Sequence, residues 1–178
     1  MATDRKTAIL RASIELIADE GYGSLSMRAL ARASGIKLGA LQYHFRTWDA
    51  LLVALVAYIE SQIISAFEAG VGELEQADVR DMVEFMLDEH VGTADGLFSD
   101  RLWAQLWAME QVEPLVSDLL EAKLVERDAA APRAEALTLL SMIEGESLFV
   151  GSGRRWEKDR PAVRRNILQL IDERYGTK

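Results

Sequence analysis

Apolar residues recur at helical spacing along almost the whole chain, and no run alternates apolar with polar residues for long enough to form a half-buried strand. In the first segment Ile9, Ala12, Leu16 and Ile17 fall on one stripe, and Gly21 follows as a stop. Ser26 offers an N-cap hydroxyl to a short second helix, in which Met27, Leu30 and Ala31 face inward and which Gly35 ends. A third helix of about two turns, Lys37 to Tyr43, comes next. Thr47 caps a fourth, with Asp49 placed to favour the positive end of its dipole. That fourth helix is long, from Trp48 to about Ala69, and gives out where Gly70 to Gly72 lower the helix propensity. Beyond it the spacing predicts helices over Val79 to His90 and Leu97 to Gln111. Three more start at prolines: Pro114 to about Ala129, Pro132 to about Val150, and Pro161 to about Tyr175. The stretch "GSGRRWEKDR" is a loop. The fold class expected is all-α, with about nine helices.

Composition narrows what such a bundle does. The chain has 178 residues, 49% of them hydrophobic, and only three prolines, so it has the means to bury a core. The longest apolar runs read as short and broken by charge, and "MATDRKTAIL" lacks the apolar stretch of a secretion signal. The expectation is a cytoplasmic protein with no membrane partner. With no cysteine there are no disulfides, cysteine-ligated metals or thiol nucleophiles. The net charge of −9 argues against a phosphate-rich partner until its distribution is read. Residues 1–50 carry seven Lys/Arg against five Asp/Glu, a net of +2, so residues 51–178 carry −11. A mildly basic head on an acidic body implies two tasks in one chain.

The head holds the most informative spacing. Ala31, Gly35, Ile36 and Leu41 match the core of a helix-turn-helix: a small residue where two helices approach, a glycine for the tight turn, and two apolar anchors for the second helix. With Ile36 and Leu41 inward, Lys37, Leu38, Gly39, Gln42 and Tyr43 face out, the surface that a recognition helix presents to a major groove. An ordinary helical corner meets the same spacing, so the pattern alone leaves both readings open.

The segment "DEGYGSLSMRALARASGIKLGALQYHFRTWDALL" resembles the TetR (tetracycline-repressor-like) family over about residues 5–55. The resemblance implies a three-helix DNA-binding domain over residues 1–47, followed by a helical ligand-binding and dimerisation domain over residues 48–178. It also implies a homodimer acting on a palindromic double-stranded operator. Lys37 and Thr47 become candidates for phosphate contact, and Leu38 and Gly39 for base edges; Tyr43 and His44 face the duplex while Phe45 turns inward. Arg5, Lys6, Ser26 and Arg28 join the DNA-binding candidates, with solvated surface as the alternative for the three cations. Two positions leave the family pattern: Gln42 stands where the family has tyrosine, and Trp48 where it has lysine. Gln42 pairs bidentately with adenine in suitable geometry. His44 as a helix-end residue and Trp48 as core packing are their alternative readings.

The body is similar to the same family at "RLWAQLWAMEQVEPLVSDLL" and "LSMIEGESL". Met82, Phe85, Met86, Trp103, Trp107 and Glu110 are the candidate ligand-binding residues, Trp103 and Trp107 sharing one helix face at i, i+4. Plain bundle core is the competing reading. The effector implied is small and largely apolar, and Glu110 beside aromatic walls suits a lipophilic cation. Leu140, Ile143, Leu148, Phe149, Ile167, Leu170 and Ile171 are the candidate dimer interface by resemblance. Between Leu119 and Pro132 the chain is shorter than the resemblance leads one to expect. No nucleophile elbow, phosphate loop or dinucleotide fingerprint occurs, and the two histidines, His44 and His90, make no metal-ligand spacing. The chain is therefore expected to be a ligand-responsive regulator, most simply a repressor, with no catalytic centre, cofactor or metal. A helical protein-interaction module, or a DNA-binding regulator that needs no ligand, is the alternative.

Overall fold

The computed structural model describes residues 2–88, 100–106, 109 and 112–176. Among these the chain is all-α, as its periodicity predicts, with no strand. The helices are α1 (Ala2–Glu20), α2 (Met27–Ala33), α3 (Leu38–His44), α4 (Trp48–Gly70), α5 (Val79–Leu87), α6 (Asp100–Leu106), α7 (Glu113–Glu126), α8 (Pro132–Val150) and α9 (Arg160–Tyr175). Single 3-10 turns at Tyr22–Ser24 and Glu157–Asp159 lead into α2 and α9.

Local chemistry sets most of these limits. The Asp78 carboxylate accepts from the Asp81 backbone while Asp81 accepts from the Asp78 backbone, a reciprocal capping box that starts α5. Pro132 opens α8, where its missing N–H costs nothing. Two ends differ from the periodicity. Asp88 turns extended, so α5 stops at Leu87, and His90 lies outside the described residues. The expected span Leu97 to Gln111 is described only over α6 itself and at Met109, whose backbone donates to the Leu106 carbonyl at 2.9 Å. Residues 97–99, 107, 108, 110 and 111 are not among those described. Asp128, at φ 54°, takes the left-handed conformation that Asp tolerates better than most residues. With Ala129 donating to Leu124 this ends α7 at Glu126 and leaves a short link into α8.

Helix α4 also differs from the reading of apolar runs as short. It is 23 residues long with a mean hydropathy of 1.9 over its apolar window, which by length and composition alone suffices to cross a membrane. Leu51, Leu55 and Ile59, one turn apart, are fully buried in the protein.

Contacts divide the chain into two units, Met1–Ile63 with Gly92–Val112 and Ile64–Val91 with Glu113–Lys178. In the first, α1 packs on α2 and α6, and α2 on α3. Ile9, Ile14, Ile17, Leu30, Leu41 and Leu102 form the core. Gln105 on α6 accepts from the Tyr22 backbone at 3.1 Å, tying α6 to the turn where α1 ends.

In the second unit α7 lies along α8, and α5 packs on α7, α8 and α9. Phe67 and Phe85 meet edge to face at 4.9 Å among Val79, Val83, Leu120 and Leu124. Charged groups are buried there too. The Glu146 side chain, 1% exposed, accepts from Arg160 and Arg164 at 2.7 Å each, joining α8 to the first turns of α9. Those guanidinium groups replace the hydrogen bonds to water that the carboxylate loses on burial.

Candidate nucleic-acid interface

The head builds its interface from two short helices and the turn between them. Ser26 Oγ accepts from the Ala29 backbone at 3.2 Å and starts α2. Leu30 and Ala31 are buried against α1 and α3. At the end of α2 Gly35 sits at φ +63°, which lets Ile36 donate back to the Ala31 carbonyl at 2.9 Å. Lys37 then starts α3 in an extended conformation, and Leu41 and Phe45 anchor that helix inward, 0% and 4% exposed. Thr47 Oγ1 accepts from the Ala50 backbone at 3.1 Å and begins α4.

With its inner side committed, α3 turns the rest outward. Lys37, Gly39, Gln42 and Tyr43 are exposed, Tyr43 to 84%, and Leu38 is half-buried at the edge of the face. His44 is half-buried, its ring edge-on to Tyr43 at 5.4 Å. The phenolic ring has no other aromatic contact within the protein among the described residues, so packing does not account for it. Trp48 is half-buried at the start of α4.

Lys37 precedes the first turn of α3 and Arg46 follows its last. Arg5, Lys6, Arg28, Lys37 and Arg46 are exposed, and none makes an ion pair among the described residues. Lys6 instead lies over the Phe45 ring at 5.8 Å. Arg46, in the turn between α3 and α4, was not singled out by sequence beyond its charge. Its position beside the Thr47 cap and the end of α3 makes it a further phosphate candidate. Ser26 and Thr47 are exposed; their oxygens accept from backbone, which leaves each hydroxyl hydrogen able to donate to phosphate. The geometry is thus a cation-free helix face with Lys37 before it and Arg46 after it, suited to a groove between two phosphate backbones.

Residues 9–55 match the family model of the bacterial regulatory proteins, tetR family, and this stretch contains α2, the Gly35 turn and α3 whole. Over this stretch the chain carries the N-terminal DNA-binding domain of the TetR family. Over 98% of its length it is 25% identical to the HTH-type transcriptional regulator CymR of Pseudomonas putida, covering 93% of that protein. Among solved structures it is similar to a TetR-family transcriptional regulator from Rhodococcus sp., at 25% identity with a TM-score of 0.68, covering 96% of this chain and 98% of that one. A regulator from Saccharomonospora viridis, solved in complex with choline, shares the fold at 19% identity and a TM-score of 0.61, covering 96% of each chain. The chain is accordingly a transcriptional regulator with a DNA-binding helix-turn-helix, and not an enzyme.

Of the candidate effector residues, Met82, Phe85 and Met86 share α5. Met82 and Phe85 are buried in the core of the second unit, where Phe85 packs on Phe67, and Met86 is half-buried. Trp103 falls on α6 in the first unit; its side chain, like Trp107 and Glu110, lies outside what is described. The candidate dimer residues divide. Leu140, Ile143, Ile167 and Ile171 are buried within the single chain, whereas Leu148, Phe149 and Leu170 are more than half exposed. The first four are therefore protomer core, and only the last three, with the exposed Leu137 and Trp156, are free to meet another surface.

The second unit also holds a cavity that the sequence did not suggest. About 520 Å³ in volume, it lies between α8 and α9, walled by Leu139, Met142, Leu170 and Ile171, with Glu135 and Tyr175 at one end. The Tyr175 hydroxyl donates to Glu135 at 2.5 Å, and Arg174 lies 3.1 Å from the same carboxylate. Burial, with that hydrogen bond, pushes the Tyr175 hydroxyl up to about 12. The same bond holds the Glu135 carboxyl below its usual value.

Proposed function

We infer that the chain is a repressor that binds a palindromic operator as a homodimer and leaves it when a small, largely apolar ligand binds the body. The observation that carries the reading is the outward face of α3, which no packing need explains, set between unpaired cations inside the family-matched segment. The DNA-binding domain is residues 1–47 and the ligand-binding and dimerisation domain residues 48–178. Arg5, Lys6, Arg28, Lys37, Thr47 and Arg46 hold phosphates, while Leu38, Gly39, Gln42 and Tyr43 meet the groove. Such a regulator works in the cytoplasm. Exposed Leu148, Phe149 and Leu170 support a second copy as partner, and two-fold symmetry matches two heads to two half-sites. Ligand and operator then weaken each other by the same factor.

The test is random-site selection on the full chain, followed by affinity against salt. The expected result is an enriched inverted repeat with a log–log salt slope that falls by about 0.9 per half-site when Lys37 or Arg28 is neutralised. No enriched sequence, or a slope unmoved by both variants, refutes the reading. Apolar cations and neutral apolar compounds, tested for release of the selected duplex, then identify the effector class.

A further inference from the structure

The groove-facing part of α3 carries a chemical bias toward particular bases. From Leu38 to His44 the helix has no Lys or Arg, the residues that most often read guanine through two hydrogen bonds. Its cations stand outside it, Lys37 before the first turn and Arg46 two residues beyond the last, where they serve phosphates. What remains on the outer face is one exposed carboxamide, Gln42, one apolar side chain a turn earlier, Leu38, and the Tyr43 ring, whose single hydroxyl lacks the paired donor and acceptor of a bidentate base contact. Gly39 lies beside Leu38 and Gln42 and offers bare backbone; a Cβ placed there would meet no protein atom within 4 Å.

Gln42 makes no hydrogen bond among the described residues, so its amide is uncommitted. A carboxamide pairs bidentately with adenine at N6 and N7. An apolar side chain and an open helix face accept the 5-methyl group of thymine, which projects into the same groove. The three surfaces are adjacent and suit a single A·T-containing step.

Resting on the reading of the head as a DNA-binding unit, we propose that Gln42 reads an adenine in each half-site, with a thymine methyl of the same or the next pair seated on Leu38 and the Gly39 face. Each half-site thus has an A·T pair at its centre of contact, and guanine is not selected there.

The experiment is random-site selection with the full-length wild type and with Gln42→Ala. The variant's fold is checked by thermal denaturation, because an exposed side chain is not expected to alter it. The expected result is that Gln42→Ala relaxes one base pair per half-site, that this pair is A·T in the wild-type site, and that affinity for the wild-type site falls about tenfold for each half-site. Deoxyuridine in place of thymine at that pair and its neighbour removes only the methyl groups. It should weaken wild type by about threefold and Leu38→Ala by less, the size of one lost methyl contact. If the relaxed pair is G·C, if Gln42→Ala relaxes none, or if deoxyuridine leaves wild-type affinity unchanged, the proposal is overturned while the DNA-binding reading stands. If wild type selects no sequence at all, that prior reading fails and takes the proposal with it.

Discussion

Replacing Gly39 by alanine should move stability and DNA affinity in opposite directions. Gly39 lies in the first turn of α3 without a left-handed φ, and an added Cβ meets no protein atom within 4 Å. Nothing within the chain therefore requires glycine, and an exposed helical glycine is less stable than alanine by about 0.5–1 kcal/mol. Alanine should accordingly stabilise the head, raising the melting temperature by about 1–3 °C for a chain of this size. On the operator the same methyl group would enter a contact already at van der Waals distance. Overpacking a close contact costs about 1–3 kcal/mol, a loss of roughly 5- to 150-fold in affinity. Thermal denaturation and fluorescence anisotropy on the selected duplex, at one fixed salt concentration, read the two effects separately. A melting temperature that rises with unchanged affinity would show that the duplex does not approach this face. A melting temperature that falls would show that the local packing has been misread.

Further outcomes follow from the rest of the chain. Gly35→Ala places a side chain at φ +63° in the turn before α3 and should destabilise the head by about 1–2 kcal/mol, visible as a lower urea midpoint. Glu146→Ala leaves Arg160 and Arg164 without their shared carboxylate and should cost about 3–5 kcal/mol by chemical denaturation; a loss below 1 kcal/mol would mean water reaches the site. Tyr175 binds its proton more tightly when folded, so its contribution is full below about pH 10 and is lost as pH rises through about 12. Tyr175→Phe should flatten that alkaline decline in melting temperature, and an unchanged decline would clear Tyr175 of responsibility. Leu148→Asp with Phe149→Asp should shift the chain from dimer to monomer in sedimentation and weaken operator binding, because both are more than half exposed and neither supports the protomer core.

The head was legible because its constraints are local. Ser26, Gly35 and Thr47 each act within three to five residues, as caps and a turn, so the sequence read one residue at a time was enough to find them. The body resists that reading. Helix α8 carries apolar residues on several sides, and periodicity does not say that Leu140 and Ile143 face the protomer while Leu137, Leu148 and Phe149 face out. Glu146 lay unnoticed within "EGES", because its partners Arg160 and Arg164 come 14 and 18 residues later across a loop. The same holds for Tyr175 and Glu135, 40 residues apart. Long-range pairing of charged and polar groups leaves no periodic trace.

The two glycines of the head make the complementary point. Gly35 and Gly39 are four residues apart, the first expected from its spacing to serve the turn and the second to face out. In the structure Gly35 stands at a positive φ and is needed by the turn, whereas Gly39 stands in open helix and is needed by nothing in the chain. A residue that lowers helix stability without an internal reason finds its reason in what the surface meets. Gln42 and Tyr43, exposed on the same side of α3, add hydrogen-bonding groups that packing does not use. The fold explains Leu30, Leu41 and Phe45, and the unexplained remainder is one continuous face. That remainder, more than the match of turn spacing, separates a reader of DNA from an ordinary helical corner.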